Sequence, residues 1–169
     1  HGKYISGEKF LSAYKSGTSF CDVIFGWDSG DVAYDNGTYT GWHSGYPDAP
    51  ARIDLSTFRK IPWEDNVPFF LGEIVDKEGN PSHVCPRQLV KKIAEEAASM
   101  GFATAFSQEF EWFNFAEMPA TATEKGFRNL QPMSFGMFGY SILRTTHQNI
   151  YFSELFYQLN NFGIPVEGL

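Results

Sequence analysis

The sequence predicts an α+β protein, because two amphipathic helical segments alternate with β-rich segments along its 169 residues. In the first helical segment, 86–100, apolar residues recur at helical spacing, and the same pattern returns over 149–161. Between the N-terminus and these helices, Val67–Val75 is rich in β-forming and apolar residues. Aromatic residues make up 17% of the chain, which excludes a disordered protein.

The N-terminal third begins with short elements. Residues 2–5 are predicted to end a strand, and Ser6 is a candidate N-cap for a helix over 8–15. Gly17 is suited to end that helix. The next segment, Cys21–Trp27, is an apolar run with several β-formers and predicts a strand.

A long loop is predicted over 28–50, where Gly, Asp, Ser, Tyr and Pro accumulate without a clear period. Loops of about 20 residues within compact domains are uncommon and often functional. Short extended pieces are predicted over 52–54 and 57–61, followed by the strand 67–75 and a turn over 77–81.

In the second half, Pro86 fits the first position of a helix that Gly101 would end. Residues 102–115 predict a strand or a pair of strands, and 118–133 are predicted to be irregular. A second segment rich in Gly and aromatic residues spans 136–143.

The last predicted helix, 149–161, has Gly163 as its C′ residue and is followed by a strand over 164–167. The chain begins at His1 without an initiator Met, and it ends at Leu169, directly after that strand. These ends predict a piece of a longer protein.

Charge and motif content exclude several classes of function. The net charge is −7 and no basic run is longer than Lys91-Lys92, so a nucleic-acid partner is not expected. No run of about 18 apolar residues is present, so no membrane span is expected. Phosphate-loop, dinucleotide-binding and nucleophile-elbow motifs are absent. Cys21 and Cys85 predict two reduced thiols in a cytoplasmic protein.

Two acidic residues in the predicted strand 102–115 are candidate metal ligands. Because alternate side chains of a strand share a face, Glu109 and Glu111 would point the same way, about 6–7 Å apart. A divalent cation such as Mg²⁺ or Mn²⁺ would compensate their repulsion. An edge strand with a solvated acidic face is the alternative, and spacing alone leaves both open.

The long loop contains a second candidate in Asp35, within the run 34–42. An Asp-Asn-Gly sequence favours a tight turn, and flanking aromatic residues could hold it on the surface. Asp35 would then either face a ligand or bond to its own backbone.

Several motifs, in order along almost the whole chain, resemble those of the glutamine synthetase family. Asp54–Trp63 resembles that family's D-L-S-T-x-R-x-x-P-W, Asp76–Pro81 its D-x-x-G-x-P, and Cys85–Arg87 its C-P-R. Further along, Gln108–Phe113 resembles the strand with the motif E-x-E, and Gly139–Ser141 resembles G-Y-[FS]. Gly163–Leu169 resembles the strand that leads to the family's H-x-E motif.

The resemblance implies an N-terminal β-grasp-like domain over 1–82 and the first part of a catalytic α/β domain over 83–169. The family's H-x-E motif would follow Leu169, and with it further metal carboxylates and arginines. The 169-residue polypeptide alone is therefore expected to be inactive. In its complete form the protein is expected to assemble into a homo-oligomeric ring.

The resemblance also implies an activity: glutamate is activated by ATP as γ-glutamyl phosphate, which ammonia then attacks. Glu109 and Glu111 would bind one divalent metal each, Mg²⁺ or Mn²⁺. Asp35 would take the role of the family's loop Asp, which binds and deprotonates ammonium in a neighbouring subunit's site. Glu167 aligns with a glutamate beside the nucleotide.

The loop departs from the family's D-G-S-S pattern, since Gly37 and Thr38 stand where the family has two serines. This departure leaves open a γ-glutamyl ligase for another, larger amine. Two further alternatives are a catalytically inert, structural member of the family and an unrelated acidic binding domain. Retention of both Glu109 and Glu111 argues against the inert member.

Overall fold

The computed structural model describes residues 1–35, 37–136 and 139–169 and shows a mixed α and β fold. Its helices and strands, in chain order, are α1 (Gly7–Ser16), β1 (Thr18–Cys21), a 3-10 helix (Asp22–Gly26), β2 (Asp48–Ile61), β3 (Val67–Ile74), α2 (Pro86–Ser99), α3 (Pro119–Glu124), α4 (Ile142–His147) and α5 (Asn149–Phe162). The predicted helices over 8–15, 86–100 and 149–161 and the strand 67–75 are confirmed to within two residues at each end.

The chain forms two compact units, of which the first contains 1–59 and 68–105 and the second 60–67 and 106–169. The first therefore holds α1, α2 and most of the sheet, and the second holds α3, α4 and α5. The sequence-based division into 1–82 and 83–169 concerns the domains of the family and stays a prediction. Among the described residues, no helix is both long and apolar enough to span a bilayer.

The three strands form one antiparallel sheet in the order β1-β2-β3. β1 pairs with the start of β2, from Thr18 opposite Ala51 to Cys21 opposite Asp48. β2 and β3 are joined by a short hairpin connection, so each strand pairs with its neighbour in sequence. A small sheet with a packed helix is shared by β-grasp folds and others, so the β-grasp assignment itself stays a prediction.

α1 packs on this sheet through one aromatic contact and one small residue. The helix begins as predicted, because the Ser6 hydroxyl accepts a hydrogen bond from the amide of Lys9 at 3.2 Å. One turn further on, the Phe10 ring stacks on Phe70 of β3 with ring centroids 5.0 Å apart. Ala13, on the same helix, is buried.

The prediction of a strand over Cys21–Trp27 is wrong for most of these residues. Pairing with β2 ends at Cys21, because the next residue opposite is Pro47, which has no N–H to donate. The amide of Asp22 still donates to the Pro47 carbonyl at 2.9 Å, and the chain then turns into the 3-10 helix.

Three other predicted strands differ from the structure. Residues 2–5 and 164–167 have no regular structure. Of the predicted strand 102–115, only Phe115 is paired, in an isolated bridge to Pro132. A strand needs neighbours for its N–H and C=O groups, and the described residues offer no backbone partner for 103–113, whereas the Asn114 carbonyl accepts from the amide of Met133 at 2.9 Å. Conversely, the two extended pieces at 52–54 and 57–61 belong to one continuous strand, β2.

The segment after 114 is held by a buried carboxylate in the second unit. Glu117 accepts hydrogen bonds from Lys125, from the Thr121 hydroxyl at 2.6 Å and from the amide of Gln131 at 2.7 Å. These bonds, that of Lys125 foremost, lower the pKa of Glu117 to about 2. They order the region 118–133, which the sequence predicts to be irregular and which contains α3.

α2 is fixed to the sheet by an ion cluster. Arg87 donates to Asp54 of β2 at 2.6 Å and to Glu73 of β3 at 3.0 Å. Lys91, one helical turn later, contacts the same two carboxylates. Hydrogen bonds from Ser56, Arg87 and Lys91 hold the pKa of the Asp54 carboxyl well below its usual range.

The chain buries little apolar surface for its mass. Its solvent-accessible surface is 13396 Å², against about 8,400 Å² expected for a folded monomer of 19.1 kDa. No large side chain of the described residues is fully buried, and α2 exposes Leu89, Val90 and Ile93. Exposed apolar area on this scale indicates surfaces that are covered in the working protein.

The ion cluster predicts a stability difference that depends on pH. We expect Arg87→Met to lower the free energy of unfolding by about 1–2 kcal/mol at pH 7, a value reduced from that of a buried pair because Arg87 is partly exposed. Because the pKa of Asp54 is lower in the folded state, this stabilisation is present above pH 4 and lost as the pH falls below it.

Urea unfolding followed by circular dichroism at pH 7 and at pH 3 measures the difference. Lys92→Met is the matched control, because Lys92 is exposed on the same helix and has no ion pair within the described residues. If Arg87→Met lowers the free energy of unfolding equally at both pH values, the ion pair between Arg87 and Asp54 is not the source of the stabilisation.

Candidate functional site

The loop that carries Asp35 is shaped by Asp28 at its base. One carboxylate oxygen of Asp28 accepts from the amides of Gly30 at 2.8 Å and Val32 at 3.0 Å, and the other accepts from the Tyr34 hydroxyl at 2.7 Å. The bond from Tyr34, followed by the two amide bonds, lowers the pKa of Asp28. Because Asp28 is tied three times to the following residues, it fixes the chain that leads into Asp35.

Asp35 is exposed and its carboxylate is held by the backbone seven residues further on. Its Oδ1 accepts from the amide of Trp42 at 2.9 Å. A Cβ atom built on Gly41 would lie 2.3 Å from this oxygen and 2.9 Å from the ring Nδ1 of His43, so glycine is required for the approach. Oδ2 accepts no hydrogen bond from the residues that the structure describes. The carboxylate is therefore fixed by one oxygen, as in the turn alternative, and leaves the other for a ligand.

Aromatic rings surround this loop. The rings of Trp42 and Tyr46 meet edge to face with centroids 5.3 Å apart. Tyr39 makes similar contacts with Phe25 at 5.8 Å and His83 at 5.1 Å. The predicted loop is thus ordered by packing, although Asn36 of its Asp-Asn-Gly run lies outside the described residues.

Two buried polar groups near the loop, on Asp22 and Tyr46, were not predicted from the sequence. Asp22 is only 4% exposed, and its Oδ1 has no hydrogen-bond partner among the described residues. The buried hydroxyl of Tyr46 has none there either. Burial, followed by the negative charges of Asp35 and Asp22, raises the pKa of Tyr46. The one signal in the sequence was an acidic residue, Asp22, that interrupts the apolar run 21–27.

Glu109 and Glu111 lie in the second unit, on the irregular segment, and both are exposed. Neither makes an ion pair or hydrogen bond with the residues described, so no cation of the protein offsets their charge there. Carboxylate oxygens suit Mg²⁺ and Mn²⁺. Two carboxylates are fewer than such an ion needs, and no group of three or more His, Cys, Asp or Glu that could hold a metal forms within 1–35, 37–136 and 139–169.

Glu167, near the C-terminus, is exposed on residues without regular structure. In the described part of the second unit, it does not join Glu109 and Glu111 in a cluster of three metal-binding residues. The role beside a nucleotide assigned to Glu167 by resemblance is untested by this geometry. Of the G-Y-[FS] motif, Gly139 to Ser141 are described, whereas 137–138 of the segment 136–143 lie outside the description.

Two other motifs have a structural role. Asp54 begins the D-L-S-T motif and Arg87 ends C-P-R, and these two residues form the 2.6 Å ion pair between β2 and α2. The motif D-x-x-G-x-P forms the predicted turn, where the amide of Asn80 donates to Asp76 at 2.7 Å. The first two motifs therefore attach α2 to the sheet, and the third closes the turn that precedes α2.

No family model matches the chain. Individual proteins do match over almost all of it. It is 50% identical over 168 residues to type-1 glutamine synthetase 2 of Dictyostelium discoideum, which covers 99% of this chain and 32% of the relative. It is 31% identical over 167 residues to glutamate–isopropylamine ligase of a Pseudomonas species, covering 98% of this chain and 36% of the relative.

A γ-glutamylethanolamide synthetase of Streptomyces coelicolor is 25% identical over 167 residues, with 98% of this chain and 36% of the relative covered. The chain thus spans about a third of the length of these curated relatives. The similarity covers nearly every residue of the chain, including the Asp35 loop and the Glu109–Glu111 segment. The chain belongs to the glutamine synthetase family.

Proposed function

We propose that this chain is part of an enzyme that joins an amine to the γ-carboxyl group of glutamate, with ammonia as the amine and ATP as the source of activation. Three relatives named as a glutamine synthetase or as γ-glutamyl-amine ligases match 98–99% of the chain, and this observation carries the proposal. The exposed, backbone-anchored Asp35 carboxylate supports it, because ligation needs an acceptor for the proton of the amine.

In the proposed reaction, ATP phosphorylates the γ-carboxylate of glutamate and leaves as ADP. The amine nitrogen loses a proton to Asp35 and attacks the γ-carbonyl carbon, and phosphate leaves with the pair of electrons of its C–O bond. Glu167 is the proposed contact to the nucleotide. A ring of identical subunits, with the Asp35 loop serving a neighbour's site, remains the proposed assembly.

Glu109 and Glu111 are the proposed metal ligands, each supplying carboxylate oxygen to one Mg²⁺ or Mn²⁺ ion. Such ions neutralise charge on the phosphates during phosphoryl transfer. The remaining ligands would come from outside the described residues. For the two carboxylates to act together, their segment has to be extended, and the lack of strand partners for 103–113 among the described residues explains why it is irregular in this chain.

A second candidate function is ligation of a larger amine. Trp42 and Tyr46 place aromatic rings beside the Asp35 loop, and apolar amines are favoured by such surroundings. One relative is named as a ligase of glutamate and isopropylamine, and another as a synthetase of γ-glutamylethanolamide. The relative that is 50% identical is named as a glutamine synthetase, which favours ammonia.

The direct test is ATP-dependent phosphate release by the complete polypeptide of the gene, with glutamate, Mg²⁺ and either ammonium, isopropylamine or ethanolamine. We expect turnover with ammonium and none from the 169-residue polypeptide alone. Turnover with an alkylamine only would establish the second candidate. A folded protein that binds Mg²⁺ and turns over no amine would contradict both and indicate an inert family member.

The metal assignment predicts that Glu109→Gln and Glu111→Gln each lower kcat/KM in the complete protein by at least about 100-fold, because each removes one charged ligand. Both variants should also reduce the rise in Tm that Mg²⁺ produces in the wild-type protein. Glu124→Gln is the matched control, since Glu124 is exposed in the same unit. Unchanged Mg²⁺ dependence in both variants would overturn the assignment.

The Asp35 geometry predicts a steric effect. Gly41→Ala places a Cβ atom against the Asp35 carboxylate and should displace it from the amide of Trp42. We expect kcat/KM for the amine to fall by about 10- to 100-fold, with a Tm close to that of the wild type. In the control, Gly37→Ala, the new Cβ meets only the Thr40 carbonyl oxygen at 3.5 Å, an ordinary contact. Equal activity of the two variants would show that the position of Asp35 is unimportant.

A further inference from the structure

A cavity of about 500 Å³ lies in the first unit, apart from the residues assigned to the proposed reaction. Its walls come from 14–18, where α1 ends and β1 begins, from 50–53 of β2, and from 75–79, the end of β3 and the turn after it. We refer to this space as the α1–turn cleft. Its volume suits a small organic molecule, since ligand sites commonly measure about 300–1,000 Å³.

The most buried residues of the α1–turn cleft are apolar. Ala51 is 1% exposed and Val75 is 7% exposed. Tyr14 adds an aromatic ring to the lining and stays about half exposed. The body of an organic ligand can therefore lie against apolar surface, as is usual in sites of this size.

Three cationic side chains also line the cleft, those of Lys15, Arg52 and Lys77. None of them forms an ion pair with a carboxylate of the described residues. The chain as a whole has a net charge of −7, so this grouping of cations differs from its general composition. A cavity lined by charges of one sign attracts ligands of the opposite sign.

The two acidic residues of the lining do not offset these cations. The Asp76 carboxylate accepts from the amide of Asn80 at 2.7 Å and from its side-chain nitrogen at 3.1 Å, so it is engaged within its own turn. Glu78 is exposed and makes no ion pair with the residues that the structure describes. The lining thus keeps an excess of positive charge.

Arg52 is held in the cleft by a contact that requires glycine. Its guanidinium donates to the Gly79 carbonyl. A Cβ atom built on Gly79 would collide with the same guanidinium, and the φ of Gly79 is 85°, which favours glycine. A guanidinium has several N–H donors in a planar fork, and this bond uses one of its nitrogens. The remaining donors are therefore positioned in advance for an anionic group.

We propose that the α1–turn cleft binds a small organic dianion, either a dicarboxylate or a phosphate ester. Arg52 binds one anionic group through its fork of N–H donors. Lys15 and Lys77 supply the further positive charge. The ligand is an effector and not a reactant, because the lining contains none of the residues assigned to the proposed reaction.

Isothermal titration calorimetry of the complete polypeptide tests the proposal with succinate and with glycerol 3-phosphate. At least one of them should bind with a Kd below about 1 mM, and the one that binds identifies the anionic group. Succinamide, which has the shape of succinate without its charge, should not bind.

Lys77→Met should weaken binding of the dianion by about tenfold or more, because a charged contact is lost. Arg52→Met should do the same, and Lys77→Met keeps the experiment decisive if Arg52→Met does not fold. Lys92→Met is the matched control, because Lys92 is exposed in the same unit and does not line the cleft. The proposal is wrong if neither dianion binds, if Lys77→Met binds as the wild type does, or if Lys92→Met weakens binding equally.

Activity separates this proposal from the proposed function. In an active ligase, Lys77→Met without added dianion should keep kcat/KM within about twofold of the wild type, and a tenfold fall would contradict the effector role. If binding depends on Lys77 but the complete polypeptide turns over no amine, the cleft stands and the proposed function fails.

Discussion

The first unit depends on one electrostatic constraint, which is that two carboxylates on the sheet need cations from α2. Asp54 on β2 and Glu73 on β3 lie side by side with side chains about one-seventh exposed, 14% and 15%. Adjacent carboxylates that are largely removed from water repel each other unless a positive charge lies between them. Arg87 and Lys91 supply two charges from successive turns of α2, so the helix has one favourable position on the sheet. The apolar face of α2 contributes less to this position, because Leu89, Val90 and Ile93 remain exposed.

The two segments that carry the proposed site residues, the Asp35 loop of the first unit and the Glu109–Glu111 segment of the second, differ in how they are formed. The Asp35 loop carries its own support, since Asp28 closes its base and the amide of Trp42 holds the carboxylate. The Glu109–Glu111 segment has no such local support, because an extended chain obtains its hydrogen bonds from neighbouring strands. The large exposed apolar surface of the chain likewise indicates that further structure covers it. The Asp35 loop is therefore ordered by contacts within this chain, whereas the Glu109–Glu111 segment needs further structure to become a strand.

The features that were predicted correctly depend on interactions between residues close together in the sequence. The Ser6 cap, Pro86 at the start of α2 and Gly163 at the end of α5 were each confirmed, because capping and backbone preference act within a few residues. The strand over Cys21–Trp27 was predicted from β-propensity, but Pro47 opposite ends the pairing, and the pairing register is invisible in the sequence. The burial of Asp22 and Tyr46 depends on the same fold of the long loop. Asp35, Glu109 and Glu111 could consequently be named as candidates from the sequence pattern, whereas the burial of Asp22 and of the Tyr46 hydroxyl could not.

Amide hydrogen exchange measures the difference between the Asp35 loop and the Glu109–Glu111 segment most directly. We predict that, in the 169-residue polypeptide, the amide of Trp42 and those of β2 are protected whereas amides 103–113 exchange at rates close to those of an unfolded chain. In the complete polypeptide, the same 103–113 amides should become protected as their strand partners are supplied. Protection of 103–113 in the 169-residue polypeptide would contradict this account, because the metal-binding segment would then be formed without further structure.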